Sequence, residues 1–308
     1  GVFDVKWNGT IVMDTEIVVT SGTVLNITGS VGSRPVLDGG GNTRLFRVVN
    51  AYLQLNDVEV RNGSAMFGGA IAAINSTVIL NRTSFIDNTA TTKSGGAMFV
   101  YGGWNVSFSG KTVFSNNTSG YDGGALNMVN SSVYWDGASG FSKNSAAHSG
   151  GALCAVVGSS VSWAAEATFT ENSALNYNGG ALSLEGGSNA SWSVDAIFSN
   201  NIAQYAGGVI FIDLGSVASW SGGAFFTGNT AKFGGGGAIS IADVSTVTLS
   251  GETIFTGNVC GIQGGAVSSK ALDSSTATNF DNQKSNLIIK GNTTFASNKC
   301  GSNGGGLA

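Results

Sequence analysis

Residues 150–178 read GGALCAVVGSSVSWAAEATFTENSALNYN, and residues 179–206 read GGALSLEGGSNASWSVDAIFSNNIAQYA. Laid one over the other from the first glycine, both give Gly-Gly-Ala-Leu, then Ser-Trp, then Phe-x-x-Asn. The same order recurs along most of the chain. Gly-Gly-Ala plus an aliphatic residue or Met starts at Gly68, Gly95, Gly123, Gly150, Gly179, Gly236 and Gly264, with variants at Gly207 and Gly304. Successive starts lie 27 to 29 residues apart, except for a last step of 40. The Phe-x-x-Asn motif keeps phase with them at Phe85/Asn88, Phe114/Asn117, Phe141/Asn144, Phe169/Asn172, Phe198/Asn201, Phe226/Asn229, Phe255/Asn258 and Phe295/Asn298. A fixed period of this length marks a stacked repeat architecture.

Each unit holds three short runs of period-two alternation, the pattern of strands, and no apolar period of 3.6 residues. In one unit these are 97–100, 104–108 and 112–114, separated by glycine and Asn clusters. Three strands are too few for a propeller blade. They fit one coil of an all-β, right-handed parallel β-helix of about 28 residues per coil, each strand pairing with its counterpart above. Aligned columns agree. Six residues before each Phe stand Ile79, Phe108, Trp135, Trp163, Trp192, Trp220, Leu249 and Ile289; after Gly-Gly-Ala come Ile71, Met98, Leu126, Leu153, Leu182, Ile210, Ile239 and Val267. Exposed stacked Trp could bind sugar rings, but the Ile, Phe and Leu in the same column favour core packing. The recurrent Asn reads as a structural ladder, each amide satisfying turn backbone and bonding to the next coil. Two residues beyond each Asn only Ala, Ser or Cys occurs.

Residues 1–67 read as looser opening coils and 68–308 as regular coils, one continuous domain with an inserted loop near 268–285. Nine Gly-Gly starts and about two earlier coils, at ~4.8 Å each, give a rod on the order of 50 Å long. No cap follows Gly304, so the expectation is that the chain continues or abuts another subunit.

Glycine is 48 of 308 residues and proline 1, yet 42% hydrophobic content supplies apolar surface that a disordered chain lacks. Net charge is −4 without a basic cluster, which argues against nucleic-acid binding, and no apolar run is long enough to span a membrane. Cys260 and Cys300 fall in one column of consecutive coils, within disulfide reach, although a Cys can also simply replace Ala there. Cys154, between inward Leu153 and Ala155, is expected to point outward. Eleven Asn-x-Ser/Thr sequons are a modest excess for this composition. Asn8, Asn26, Asn62, Asn75, Asn81, Asn105, Asn116, Asn130, Asn189 and Asn292 are expected glycosylation sites. Asn26 and Asn105 read as outward strand positions, and Asn75, Asn130 and Asn189 as neighbours of one turn. Asn117, in the ladder, should carry no glycan.

These residues resemble a known family. The phased Gly-Gly-Ala-Ile/Leu/Val and Phe-x-x-Asn motifs, over about Gly68 to Leu307, are similar to the repeat of the chlamydial polymorphic outer-membrane proteins, surface adhesins carried as autotransporter passengers. The stretch Leu37 to Gly40 through Arg44 to Phe46 looks like the first coils of pectin-lyase-like β-helices. The resemblance implies a right-handed β-helix in a surface-exposed, adhesive or structural role. The sequons depart from it and point to a eukaryotic secretory route.

β-Helices also host polysaccharide lyases and hydrolases, whose chemistry needs carboxylates gathered on one face. The 18 acids scatter in phase, and His148 has no acid in its column. Glu166 and Asp195 share a phase without a basic partner. No catalytic residue, metal site or cofactor is therefore assigned. Two residues before Gly-Gly stand Tyr121, His148, Tyr177 and Tyr205, with Phe233 near that phase: a candidate ligand stripe for glycans or a partner surface, or else a structural stack. The sequence reads as a non-catalytic extracellular scaffold, glycosylated, adhesive or fibril-forming, self-associating end to end or meeting another cell-surface protein. A polysaccharide-processing enzyme and a carbohydrate-binding surface protein are the rivals.

Overall fold

Four-residue alternation ended by glycine or by Asn, residues that tolerate positive φ, builds short strands joined at sharp corners. In the coil that starts at Gly150 the strands are Leu153–Val156, Ser160–Trp163, Ala167–Thr170 and Ser173–Ala174. The structure, a computed structural model, describes residues 1–30, 34–102, 105–269, 284–302 and 304–308. Among them every strand pairs in parallel with its counterpart one coil away. Four sheets result: a tryptophan sheet of eleven strands, a leucine sheet of ten, a phenylalanine sheet of eleven and a short sheet of nine. No helix occurs among the described residues. The fourth sheet was not expected. Its strands hold two residues each, too few for alternation to reveal.

The columns climb in register. Trp135, Trp163, Trp192 and Trp220 pair in sequence, and so do Leu126, Leu153, Leu182 and Ile210. One column slips: Phe108 pairs with Leu80, whereas Ile79 pairs with Ser107 on the outer face. The corner between Leu80 and Thr83 is one residue shorter than that between Phe108 and Thr112, which moves the phase. The opening coils begin at the first strand of the tryptophan sheet, Val2–Trp7. Residues 270–283, most of the expected inserted loop, and Trp104 lie outside the described residues.

Inside the rod, indole rings stack 4.3 to 5.0 Å apart within 8° of parallel, and the phenylalanines stack beside them. The two stacks meet edge to face, for example Trp163 with Phe169 at 81°. The four indole Nε1 atoms are buried without a hydrogen-bond partner. Large aromatic burial, with the edge-to-face contacts between the two stacks, offsets that cost.

The asparagines close a second ladder. Asn172 donates from Nδ2 to the Phe141 carbonyl and to Asn201 Oδ1, and its Oδ1 accepts from both the backbone N–H and the Nδ2 of Asn144. The pattern runs unbroken from Asn88 through Asn117, Asn144, Asn172, Asn201, Asn229 and Asn258 to Asn298. Serines form a third ladder, unforeseen, at the corner before the tryptophan sheet. The Ser159 backbone N–H donates to Ser188 Oγ, and the Ser188 N–H donates to Ser216 Oγ. Its signal is plain in retrospect: Ser131, Ser159, Ser188, Ser216 and Ser245 each stand two residues before an inward Val or Ala.

The Gly-Gly pair has two separate causes. Gly179 has φ +68°, and a Cβ on Gly180 would meet the Gly208 carbonyl oxygen at 2.2 Å. Each such turn folds over the outer side of the leucine sheet. That corrects the expectation for Cys154, which faces away from Leu153 yet is fully buried beneath Gly150. Burial pushes its thiol well above the usual range, and Asp122 and Glu185 push it further.

Candidate contact surface

The turn before Gly-Gly sets the stripe. The residue just before the glycines caps the next coil: Asp122 Oδ1 accepts the Ser149 N–H at 3.0 Å, and Asn178 Oδ1 accepts the Ala206 N–H at 2.9 Å. The residue ahead of it then projects outward. Tyr121, Tyr177 and Tyr205 are 47%, 47% and 50% exposed, and Phe233 is 58% exposed. The backbone of Phe233 is aligned with Gln204, one residue out of phase, but its ring stands 6.3 Å from that of Tyr205 and so extends the stripe.

The stripe has two regimes. Tyr121 and His148 stack at 4.4 Å and 11°, and His148 meets Tyr177 at 3.7 Å. Above this the rings splay: Tyr177 to Tyr205 is 6.2 Å at 56°. There a shallow cleft of about 620 Å³ opens, lined by Asn176, Tyr177, Asn178, Gln204 and Tyr205. The sequence reading missed these amides. Asn178 could have been found, since it shares its place before Gly-Gly with Asp122.

His148 does have an acid partner, contrary to expectation. Its Nδ1 lies 2.9 Å from Asp122 Oδ1. The carboxylate stands one coil away and one residue on, so a search within one column passes over it. Burial raises the Asp122 pKa, opposed by the Ser149 N–H and by His148.

The acids also scatter less than expected. Glu185, Asp213 and Asp243 stand in three successive coils at one corner, hidden in the sequence because Asp243 is one place further past its Gly-Gly than the other two. Asp213 is raised to about 6, by burial first, against a lowering bond from the Leu214 N–H, then by the hydrogen-bonded Asp243 carboxyl and by Glu185. A folded-state value above the reference 3.8 means that the folded protein holds the extra proton between the two. The contribution to stability is therefore full below about pH 4 and is lost as pH rises through about 6. Asp213→Asn should raise Tm more at about pH 7.5 than at about pH 4.5; a Tm difference independent of pH would contradict the shared proton. Glu166 and Asp195 are exposed, and Asp195 Oδ1 accepts the Gly223 N–H. Among the described residues no three His, Cys, Asp or Glu side chains are grouped to hold a metal ion.

A smaller trough of about 240 Å³ runs over the tryptophan column, lined largely by serines. Two of them are already engaged, Ser193 with the Trp163 carbonyl and Ser221 with that of Trp192. Cys260 and Cys300 are joined by a disulfide, with Cα atoms 4.6 Å apart. Asn8, Asn75, Asn105, Asn116, Asn130, Asn189 and Asn292 are exposed, and Asn26, Asn62 and Asn81 are half-buried. Asn75 and Asn130 occupy a left-handed corner, but Asn189 does not join them: it begins a strand, in file with Asn105 through Ser132 and Ser160. Asn117 is fully buried in the ladder.

With this geometry in hand, a family model matches the chain. The Chlamydia polymorphic membrane protein repeat is found at residues 111–127, 141–156 and 195–213. Each stretch includes a Phe-x-x-Asn motif and the Gly-Gly turn that follows it. No curated protein and no solved structure matches the chain.

Proposed function

We propose that this parallel β-helix, whose coils match the polymorphic-membrane-protein repeat at residues 111–127, 141–156 and 195–213, is a non-catalytic scaffold at a cell surface, presenting one face of a stiff rod for adhesion. The observation that carries this reading is where the matched repeats fall. They include Tyr121, His148 and Tyr205, so three of the coils that bear the outward aromatic stripe are coils that match the family's repeat, while Tyr177 and Phe233 stand outside the matched stretches. The repeated inward residues are taken up by packing and by the ladders, which leaves the stripe as the repeated feature open to a partner. Glycans on the exposed sequons would sit at other corners and leave the stripe clear.

Two measurements test it. An antibody against the stripe face should label intact, unpermeabilised source cells, and beads coated with the protein should bind cultured epithelial cells better than albumin-coated beads. Labelling only after permeabilisation overturns the surface assignment. Release of reducing ends or unsaturated sugars from a polysaccharide panel overturns the non-catalytic one.

A further inference from the structure

The splayed half of the stripe differs from every other aromatic file in the rod. Inside, neighbouring indole rings lie within 8° of parallel, because stacking alone governs them. Tyr177, Tyr205 and Phe233 are instead tilted by 56° and 57° and stand more than 6 Å apart. They do not fill one another's faces. A purely structural stack has no need of this opening.

Two of the polar groups around the opening, Asn176 and Asn178, are held by hydrogen bonds. Asn176 donates from Nδ2 to the Ala147 carbonyl at 2.7 Å, which leaves its Oδ1 as an acceptor. Asn178 accepts the Ala206 N–H on Oδ1, which leaves its Nδ2 as a donor. Gln204 adds a third carboxamide, and no charged side chain lines the cleft. Aromatic faces take the C–H face of a sugar, and oriented amides take its hydroxyls. A sulfated or uronic polysaccharide would instead call for Arg or Lys at the site. The spacing fits as well: parallel coils climb by ~4.8 Å, close to the advance of one pyranose in an extended chain.

We infer that the cleft between Tyr177 and Tyr205, continued by Phe233, binds a neutral, extended oligosaccharide running along the rod axis. Successive sugar residues lie against successive rings, and Asn176, Asn178 and Gln204 hold the hydroxyls of the two residues seated on the tyrosines. The inference rests on the surface reading for its role and on the cleft alone for its chemistry.

The probes are cellohexaose, chitohexaose, mannohexaose and xylohexaose, with oligogalacturonate and a heparin oligosaccharide as charged controls, measured by calorimetry. At least one neutral hexamer should bind, and more tightly than its dimer. Tyr177→Ala and Tyr205→Ala should each weaken binding by about tenfold, the loss of one ring contact, with Tm unchanged. Tyr177→Phe should retain binding, since the ring face is kept. Four outcomes overturn the site: no neutral hexamer bound at millimolar concentration, equal binding by the alanine variants, preference for a charged control, or loss of binding only together with a matched fall in Tm. Cell adhesion that persists after enzymatic removal of surface glycans, by protein that ignores all the hexamers, refutes the glycan site and leaves the surface scaffold standing.

Discussion

Asn172→Ala should lower the unfolding free energy by about 5 kcal/mol, because it orphans three buried groups at ~1–3 kcal/mol each. The backbone N–H and Nδ2 of Asn144 lose their shared acceptor, and the Phe141 carbonyl loses a donor. Asn172→Asp should be worse still, since a buried carboxylate can accept but cannot donate to Phe141 or Asn201. In a stack where each coil touches only its neighbours, the damage is local, and the urea transition should broaden or divide as well as shift. Asn176→Ala, an exposed amide four residues on, is the control and should stay within about 0.5 kcal/mol. If the two variants unfold at the same urea concentration, the ladder contributes nothing beyond burial.

Gly180→Ala should be harsher than its single methyl group suggests. The new Cβ would stand 2.2 Å from the Gly208 carbonyl oxygen and 2.6 Å from the Ile202 carbonyl carbon. Both neighbours are backbone, Gly208 at the start of the next coil and Ile202 near the end of Gly180's own, so the clash can be relieved only by parting turns that four sheets hold together. A loss of more than about 5 kcal/mol, or failure to accumulate folded protein, is the expected result. Gly140→Ala is the matched comparison. Its Cβ would meet only Thr168 Oγ1, at 3.4 Å, and stability should change by about 0.5 kcal/mol or less. Thermal melts of the two purified variants, with expression yield, decide the point; comparable melts would refute close packing at the Gly-Gly turn.

The fold was legible where residue identity itself repeats. Glycines that must turn or must lack a Cβ, Asn that must bridge coils, and Trp that must stack admit few substitutes, so their spacing shows through. Features resting on class rather than identity were hidden. The two-residue strands such as Ser173–Ala174 are too short to alternate. A corner one residue shorter moved Leu80 out of the counted phase, and a position one place further along its own corner concealed Asp243 from Glu185 and Asp213. The stripe could be read from Tyr121 to Tyr205, but its cleft could not, since ring tilt and the amide bonds of Asn176 and Asn178 are settled only in three dimensions. The His148 contact was lost for a related reason: its partner reaches across from the coil before, not along the file.

The asparagine file carries a consequence for how such a rod can change length. Asn172 hands upward to Asn201 the same donor that it receives from Asn144 below, so every interior storey has an identical floor and ceiling. A whole storey can be duplicated or deleted and the join will still match, whereas a cut that removes half of one leaves donors facing donors. The molecule is in this sense modular by height, free to be drawn out to whatever reach its outer face requires.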